Sequence, residues 1–151
     1  MTEVWFYHLQ SRPLEETLPR LLERSLERAW NVVVQTTDPQ RIEALDQSLW
    51  TYRDDAFLPH GREGDALQAH DPIILATTAA NPNQAALRVL IDRAPLPEDA
   101  NTYERIVLMF DGQDESALVD ARAQWGAAKK MGLDVTYWQQ DDNGAWGKRN
   151  V

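Results

Sequence analysis

Three β-branched residues in succession, Val32-Val33-Val34, occupy the short stretch Asn31–Gln35. Such residues favour extended backbone, and an unbroken apolar run of this length is typical of a strand buried on both faces. Both faces of its sheet must then be covered, which shapes the rest of the chain. Helical patterns flank the run on either side. Before it, Leu14, Leu18, Leu21, Leu22, Ser25, Leu26 and Ala29 recur at helical spacing with charged residues on the opposite face, an amphipathic helix. Pro19 must sit in its first turn or mark a kink. After the run, Asp38 is placed as an N-cap and Pro39 at the first helical position. Ile42, Leu45 and Leu49 carry that second helix to about Trp50.

The same alternation continues. Glu3–Leu9 is aromatic and alternating, a first strand. Thr51–Asp71 is a long irregular stretch of the kind that in compact domains is usually functional or disordered. Ile73–Thr77 and Leu87–Asp92 read as strands separated by the turn Asn81-Pro82-Asn83. A helix from Glu98 to about Arg105 is expected before a strand at Tyr103–Phe110. Asp114–Met131 reads as a long helix closed by Gly132. Val135–Gln139 is a last strand, and Asn143-Gly144 signals a hairpin that returns Ala145–Trp146 as a short edge. Strands and helices in alternation predict an α/β fold with a mostly parallel sheet flanked by helices. No repeat or linker interrupts the chain, so one domain over residues 1–151 is expected.

Composition narrows the function. Asp and Glu number 24 against 15 Lys and Arg, a formal net charge of −9. That average field repels phosphate and argues against broad electrostatic binding to nucleic acid, although a local basic cluster still matters. The chain has no cysteine, which removes disulfides, thiolate metal sites and cysteine nucleophiles together. Residues 1–12 lack the basic start and apolar run of a secretory signal, and no stretch reaches the ~20 apolar residues of a membrane span. A cytoplasmic protein without membrane association is expected. Six tryptophans are many for this length, and tryptophan is enriched in interface hot spots.

Catalytic chemistry finds little support. The turn after the first strand, Gln10-Ser11-Arg12-Pro13, contains no glycine, and neither dinucleotide nor P-loop glycine motifs occur elsewhere. Without them the backbone cannot approach a diphosphate. His8, His60 and His70 form no i,i+4 metal pair, and no Gly-x-Ser-x-Gly elbow is present. No catalytic residue, metal or cofactor is expected. The alternative is a small hydrolase or transferase that uses the 51–71 loop with His60 as base. Direct single-strand binding through stacked tryptophans is a third reading, opposed by the net charge.

Two constellations look like binding sites. Leu49-Trp50-Thr51-Tyr52 followed by Phe57-Leu58-Pro59-His60-Gly61 offers an aromatic helix end and an apolar loop. Leu118, Arg122, Trp125 and Lys129 form one stripe on the long helix, flanked by Ala121 and Ala128. A tryptophan bracketed by an arginine and a lysine can accept an apolar group together with carboxylates.

These segments also carry a resemblance. Leu45-Asp46-x-x-Leu49-Trp50, Phe57-x-Pro59-His60-Gly61, Phe110-Asp111-Gly112-x-Asp114, Ala121-Arg122-x-x-Trp125 and Tyr137-Trp138-Gln139 follow one another as in the chi subunits of bacterial DNA polymerase III. Phe6-Tyr7-x-Leu9 and Leu18-Pro19-Arg20-Leu21-Leu22 fit as well, so the chain resembles that family over nearly its whole length. The resemblance implies a three-layer, Rossmann-like fold without a nucleotide site, in a non-catalytic replication subunit. It implies two partners, the psi subunit, which tethers chi to the clamp loader, and the acidic C-terminal tail of single-stranded DNA-binding protein, which ends in Asp residues and a Phe. Nucleic acid would be reached only indirectly. Trp50 and Phe57 would face psi, and Arg122, Trp125 and Lys129 would take the tail. Two positions depart from the pattern: Gly126 stands where some chi proteins carry lysine, and Ala29 where glycine is expected.

Overall fold

A computed structural model describes residues 2–51 and 58–149 of the chain. The valine run becomes β2 (Val32–Gln35), buried at every position. Around it are arranged β1 (Glu3–Leu9), α1 (Leu14–Glu27), α2 (Pro39–Thr51), β3 (Gly61–Arg62), β4 (Ile73–Ala76), β5 (Leu87–Leu90), β6 (Arg105–Asp111), α3 (Glu115–Lys130), β7 (Asp134–Gln140) and β8 (Trp146–Arg149). The eight strands form one sheet in the order β3-β4-β2-β5-β6-β1-β7-β8. Every neighbouring pair is parallel except β7 and β8, which form the antiparallel hairpin signalled by Asn143-Gly144.

Alternate residues of the strands feed two separate cores, as the pleat requires. Val32, Val34, Ile73, Leu87, Val89 and Val107 pack with Leu14, Leu18 and Leu22 of α1 and with Ile42, Leu45 and Leu49 of α2. Val4, Phe6, Val33, Ile74, Ile106 and Leu108 pack with Ala117, Ala121 and Ala128 of α3. The α3 contact face is built from alanine, so the helix backbone lies close to the sheet. Its N-terminus is capped by Asp114, whose Oδ1 accepts from the backbone N–H groups of Ser116 and Ala117. Its end is closed by Gly132 at a φ of 76°. The end of α1 needs the same left-handed geometry, and Ala29 adopts it at φ 59°. A glycine would hold that conformation without the ~1–2 kcal/mol that Cβ crowding costs an alanine.

Among the described residues α3 is the one α-helix over the second core, and the connections do the rest. β4 and β5 flank β2, so residues 77–86 cross it without forming a helix. Arg88 organises that crossover. It is fully buried on β5, and all five of its N–H donors are used. Nε and Nη2 donate to Gln35 Oε1 at 2.9 and 2.7 Å, Nη2 to the Thr78 carbonyl at 2.6 Å, and Nη1 to the Ala80 carbonyl and Tyr103 Oη, both at 3.0 Å. Carbonyls that a helix would satisfy internally are met here by one guanidinium.

Two expectations change, and the first-turn alternative for Pro19 drops out. The helix foreseen over Glu98–Arg105 is a single 3-10 turn at Ala100–Thr102. Arg105 must already stand in the sheet opposite Glu3 and Leu87, and Pro95 and Pro97 restrict the chain before it, so no longer helix fits between. The stretch read as irregular over Thr51–Asp71 supplies the edge strand β3, paired with β4, and a 3-10 turn at Gln68–His70. Pro19 is the sixth residue of α1, past its first turn, so the Glu15 carbonyl lacks its helical donor. No described helix is long and apolar enough to cross a membrane.

Candidate functional site

The α3 stripe lies where α3 crosses β1 and β7. Ala117, Ala121 and Ala128 point into the core, which turns the next positions round the helix toward its flank. Leu118 and Trp125 are half-buried there against the second core. The Trp125 ring meets Phe6 edge-on at 5.2 Å and Tyr137 at 6.0 Å. One edge of this tryptophan is therefore core and the other is surface. Lys129 Nζ lies 5.2 Å from the ring centroid, a cation–π distance. Arg122, one turn earlier, is exposed and makes no ion pair among the described residues. A Cβ on Gly126 would meet nothing within 4 Å, so the helix surface beside Trp125 is open. The arrangement offers two cations on one stripe with an aromatic wall between them.

Behind the stripe is a pair that sequence reading missed. His8 Nδ1 and Tyr137 Oη are hydrogen-bonded at 2.6 Å. Burial lowers the His8 pKa, against an opposing pull from Asp111. Burial likewise raises that of Tyr137, partly offset by Arg122. Both shifts favour the neutral forms, so the floor is uncharged and the positive charge is at the rim. The available signal was the alternation of Phe6 and His8 on one face of β1, but their partner on β7 is about 130 residues away.

The other constellation is divided. Phe57 lies outside the described residues. Trp50, at the end of α2, is 47% exposed, and its ring sits 4.7 Å from that of His60. The His60 side chain is fully enclosed. Its Nδ1 donates to the Leu58 carbonyl and its Nε2 is hydrogen-bonded to Asp46 Oδ1, both at 2.7 Å. Asp46 Oδ2 also accepts from Arg62 Nη2 at 3.0 Å. With both ring nitrogens engaged inside the protein and the side chain enclosed, His60 does not face a space where a substrate could meet it. Its role is to tie residues 58–62 to α2 beneath Trp50.

Asp46 holds this tie electrostatically. Burial alone would raise its pKa, but hydrogen bonds from Arg62 and His60 outweigh that and bring it below the ordinary 3.8. A carboxylate with a depressed folded pKa contributes stability above its unfolded pKa and loses it as the pH falls through the folded value. The stability difference between wild type and Asp46→Asn is thus expected to be full at pH 6 and to close below about pH 4. Urea melts at pH 3, 4 and 6 measure it, and a difference independent of pH contradicts the assignment.

A cavity of about 720 Å³ lies elsewhere. It opens at the carboxyl ends of β1 and β6, where the chain leaves toward α1 on one face and α3 on the other. Open α/β sheets bind ligands at such a switch point. Arg12, Arg41 and Arg93 line this one, but Arg12 is paired with Glu16 and Arg41 with Glu15 and Asp92. The Asp114 carboxylate already occupies the end of α3, and Asp38, Asp92, Asp111 and Asp120 line the same space.

The model of one protein family, described as "DNA polymerase III chi subunit, HolC", matches residues 1–136. The chain belongs to the chi family. A curated relative, the probable DNA polymerase III subunit chi of Rickettsia prowazekii (strain Madrid E), is 29% identical over 117 residues, covering 74% of this chain and 71% of that protein. Chi is a non-catalytic accessory subunit of DNA polymerase III, so the chain's place is in DNA replication. The chi match takes in the α3 stripe and the end of α2. Tyr137, at the floor of the stripe, falls just beyond it.

Proposed function

We propose that this chi protein is a two-sided adaptor that links the clamp loader, through psi, to the acidic C-terminal tail of single-stranded DNA-binding protein. The observation that carries the reading is the α3 stripe. Arg122 would pair with a tail carboxylate, the open side of Trp125 would wall the slot for the terminal Phe, and Lys129 would add a second cation. Trp50, with Phe57, would face psi at the far end of α2. The 1–151 chain would act as one Rossmann-like, three-layer domain at the cytoplasmic replisome, without cofactor, and would reach DNA through the coated strand.

The energetics suit that role. Burying a Phe contributes ~1.5–3 kcal/mol and each charge-assisted hydrogen bond ~1.5–3 kcal/mol, while ordering a flexible tail subtracts several. The balance falls near micromolar affinity, about −8 kcal/mol. Weak single contacts serve a protein that meets many tails arrayed along coated DNA. Calorimetry with a peptide ending in Asp-Asp-Phe tests the tail site, and no heat of binding with wild type removes it. For the second surface, Trp50→Ala is expected to lose psi in co-purification while the tail peptide still binds. Retention of psi by both Trp50→Ala and Phe57→Ala would overturn the assignment.

A further inference from the structure

Four of the six tryptophans have no part in either proposed site, and they gather on one face of the sheet. Trp5 and Tyr7 of β1 point to the α1 side, and Trp138 stands opposite Tyr7 on β7. α3 lies on the other side of β7, and on this side α1 borders a groove at Trp146 of β8. Rings touch in sequence across this face: Trp138 to Trp5 at 5.5 Å, Trp5 to Tyr7 at 6.3 Å and Tyr7 to Trp146 at 4.5 Å. Trp30 joins at the other end through the Arg105 guanidinium, which lies 3.6 Å from the Trp5 centroid and 5.2 Å from that of Trp30. All five rings are half-buried. The Trp138 indole N–H is enclosed without an acceptor among the described residues.

A row of arginines runs beside the row of rings. Arg20, Arg24 and Arg28 are exposed at i, i+4 and i+8 along α1. Arg20 and Arg24 wall a groove floored by Tyr7 and Trp146, and Arg28 lies 4.0 Å from the Trp30 centroid. Within the groove Glu16 is paired to Arg12 at 3.4 Å, while Arg20 and Arg24 make no ion pair among the described residues. Four helical residues advance the chain about 6 Å, and two strand residues advance it about 6.6 Å. The arginines, with Glu23 and Glu27 between them on the helix, are thus spaced like Trp5 and Tyr7. The other rings come from β7, β8 and the turn after α1, on a protein whose net charge is −9. Trp138, Trp146 and Lys148 all lie beyond residue 136, where the chi match ends.

We propose that this ring-and-arginine face binds single-stranded nucleic acid directly, independently of the tail site. A phosphate beside a planar base is the pairing that fits exposed arginines set beside rings, as at Arg20 and Arg24 with Tyr7 and Trp146 and at Arg28 with Trp30. An acidic peptide carries a carboxylate or a ring at each residue, not both.

The test is fluorescence anisotropy of labelled oligo-dT of 20 nucleotides with the full chain in 50 mM salt, alongside a duplex of equal length and an acidic peptide. Oligo-dT is expected to bind better than duplex and to quench tryptophan fluorescence. Its affinity should fall about seven- to eighteenfold between 50 and 200 mM salt, the slope for two to three single-strand phosphates. Arg20→Ala/Arg24→Ala should weaken it at least fivefold, Arg20→Lys/Arg24→Lys should restore most of that, and Arg122→Ala should leave it unchanged. The arginines are exposed, so circular dichroism should show these variants folded. Absence of oligo-dT binding would overturn the proposal, as would binding unaffected by the double alanine variant. Loss of binding in Arg122→Ala, or an acidic peptide that displaces the oligonucleotide, would assign the face to a protein partner instead.

Discussion

Arg88→Leu is expected to remove most of the folding stability, measured as the urea midpoint. Leucine fits the burial but leaves Gln35 Oε1, the Thr78 and Ala80 carbonyls and Tyr103 Oη without their donor. A buried acceptor stripped of its partner costs about 1–3 kcal/mol. Even if some of the four reach water, the loss should be about 4 kcal/mol or more, against the ~5–15 kcal/mol that holds a domain together. Replacing a buried charge by an apolar residue is harmless where its partners can be replaced too. Two of these partners are backbone, so no single substitution releases them. Arg88→Lys keeps the charge but not the five-donor fork and should fall between. A loss below 1 kcal/mol for Arg88→Leu would show that the crossover over β2 does not depend on this residue.

Arg122→Ala should weaken the tail peptide at least tenfold, with stability unchanged. Tenfold is about 1.4 kcal/mol, just under the range for a hydrogen bond to a charged group, which allows for the solvent around an exposed arginine. Arg122→Lys separates charge from fork: partial recovery indicates a point charge, and none indicates bidentate pairing. Trp125→Ala is the wrong partner experiment, because the ring also packs on Phe6 and Tyr137 and its loss would damage the core. Trp125→Phe keeps the packing and narrows the slot. Equal affinity in wild type and Arg122→Ala, measured by calorimetry at low salt, would remove Arg122 from the site.

Much of this was readable from local chemistry. The valine run, the Asp38-Pro39 start, the Gly132 stop and the Asn143-Gly144 turn each act within a few residues, and each lies where its type dictates. The α3 stripe was readable for the same reason. What escaped was non-local. β3 is two residues long and carries no period. Strand order is decided by which edges meet, and β1 meets strands about 100 and 130 residues away. The role of Arg88 had no local signal, since its four acceptors come from three segments, at residue 35, residues 78–80 and residue 103. His60 looked available as a base until Asp46 and Leu58 closed on both of its nitrogens.

The position of β1 also bears on how the chain is made. Its two neighbours are β6 and β7, with Glu3 opposite Arg105 on one side and Asp134 on the other. β1 thus has no partner in this sheet until some hundred further residues have been made, about 5–20 s at ordinary rates of synthesis. During that interval Val4, Phe6 and Leu9 are exposed on an unpaired edge, the kind of surface that holding chaperones recognise and other nascent chains can capture. Synthesis of β6 and β7, rather than of any early helix, sets the moment at which the sheet can close around β1.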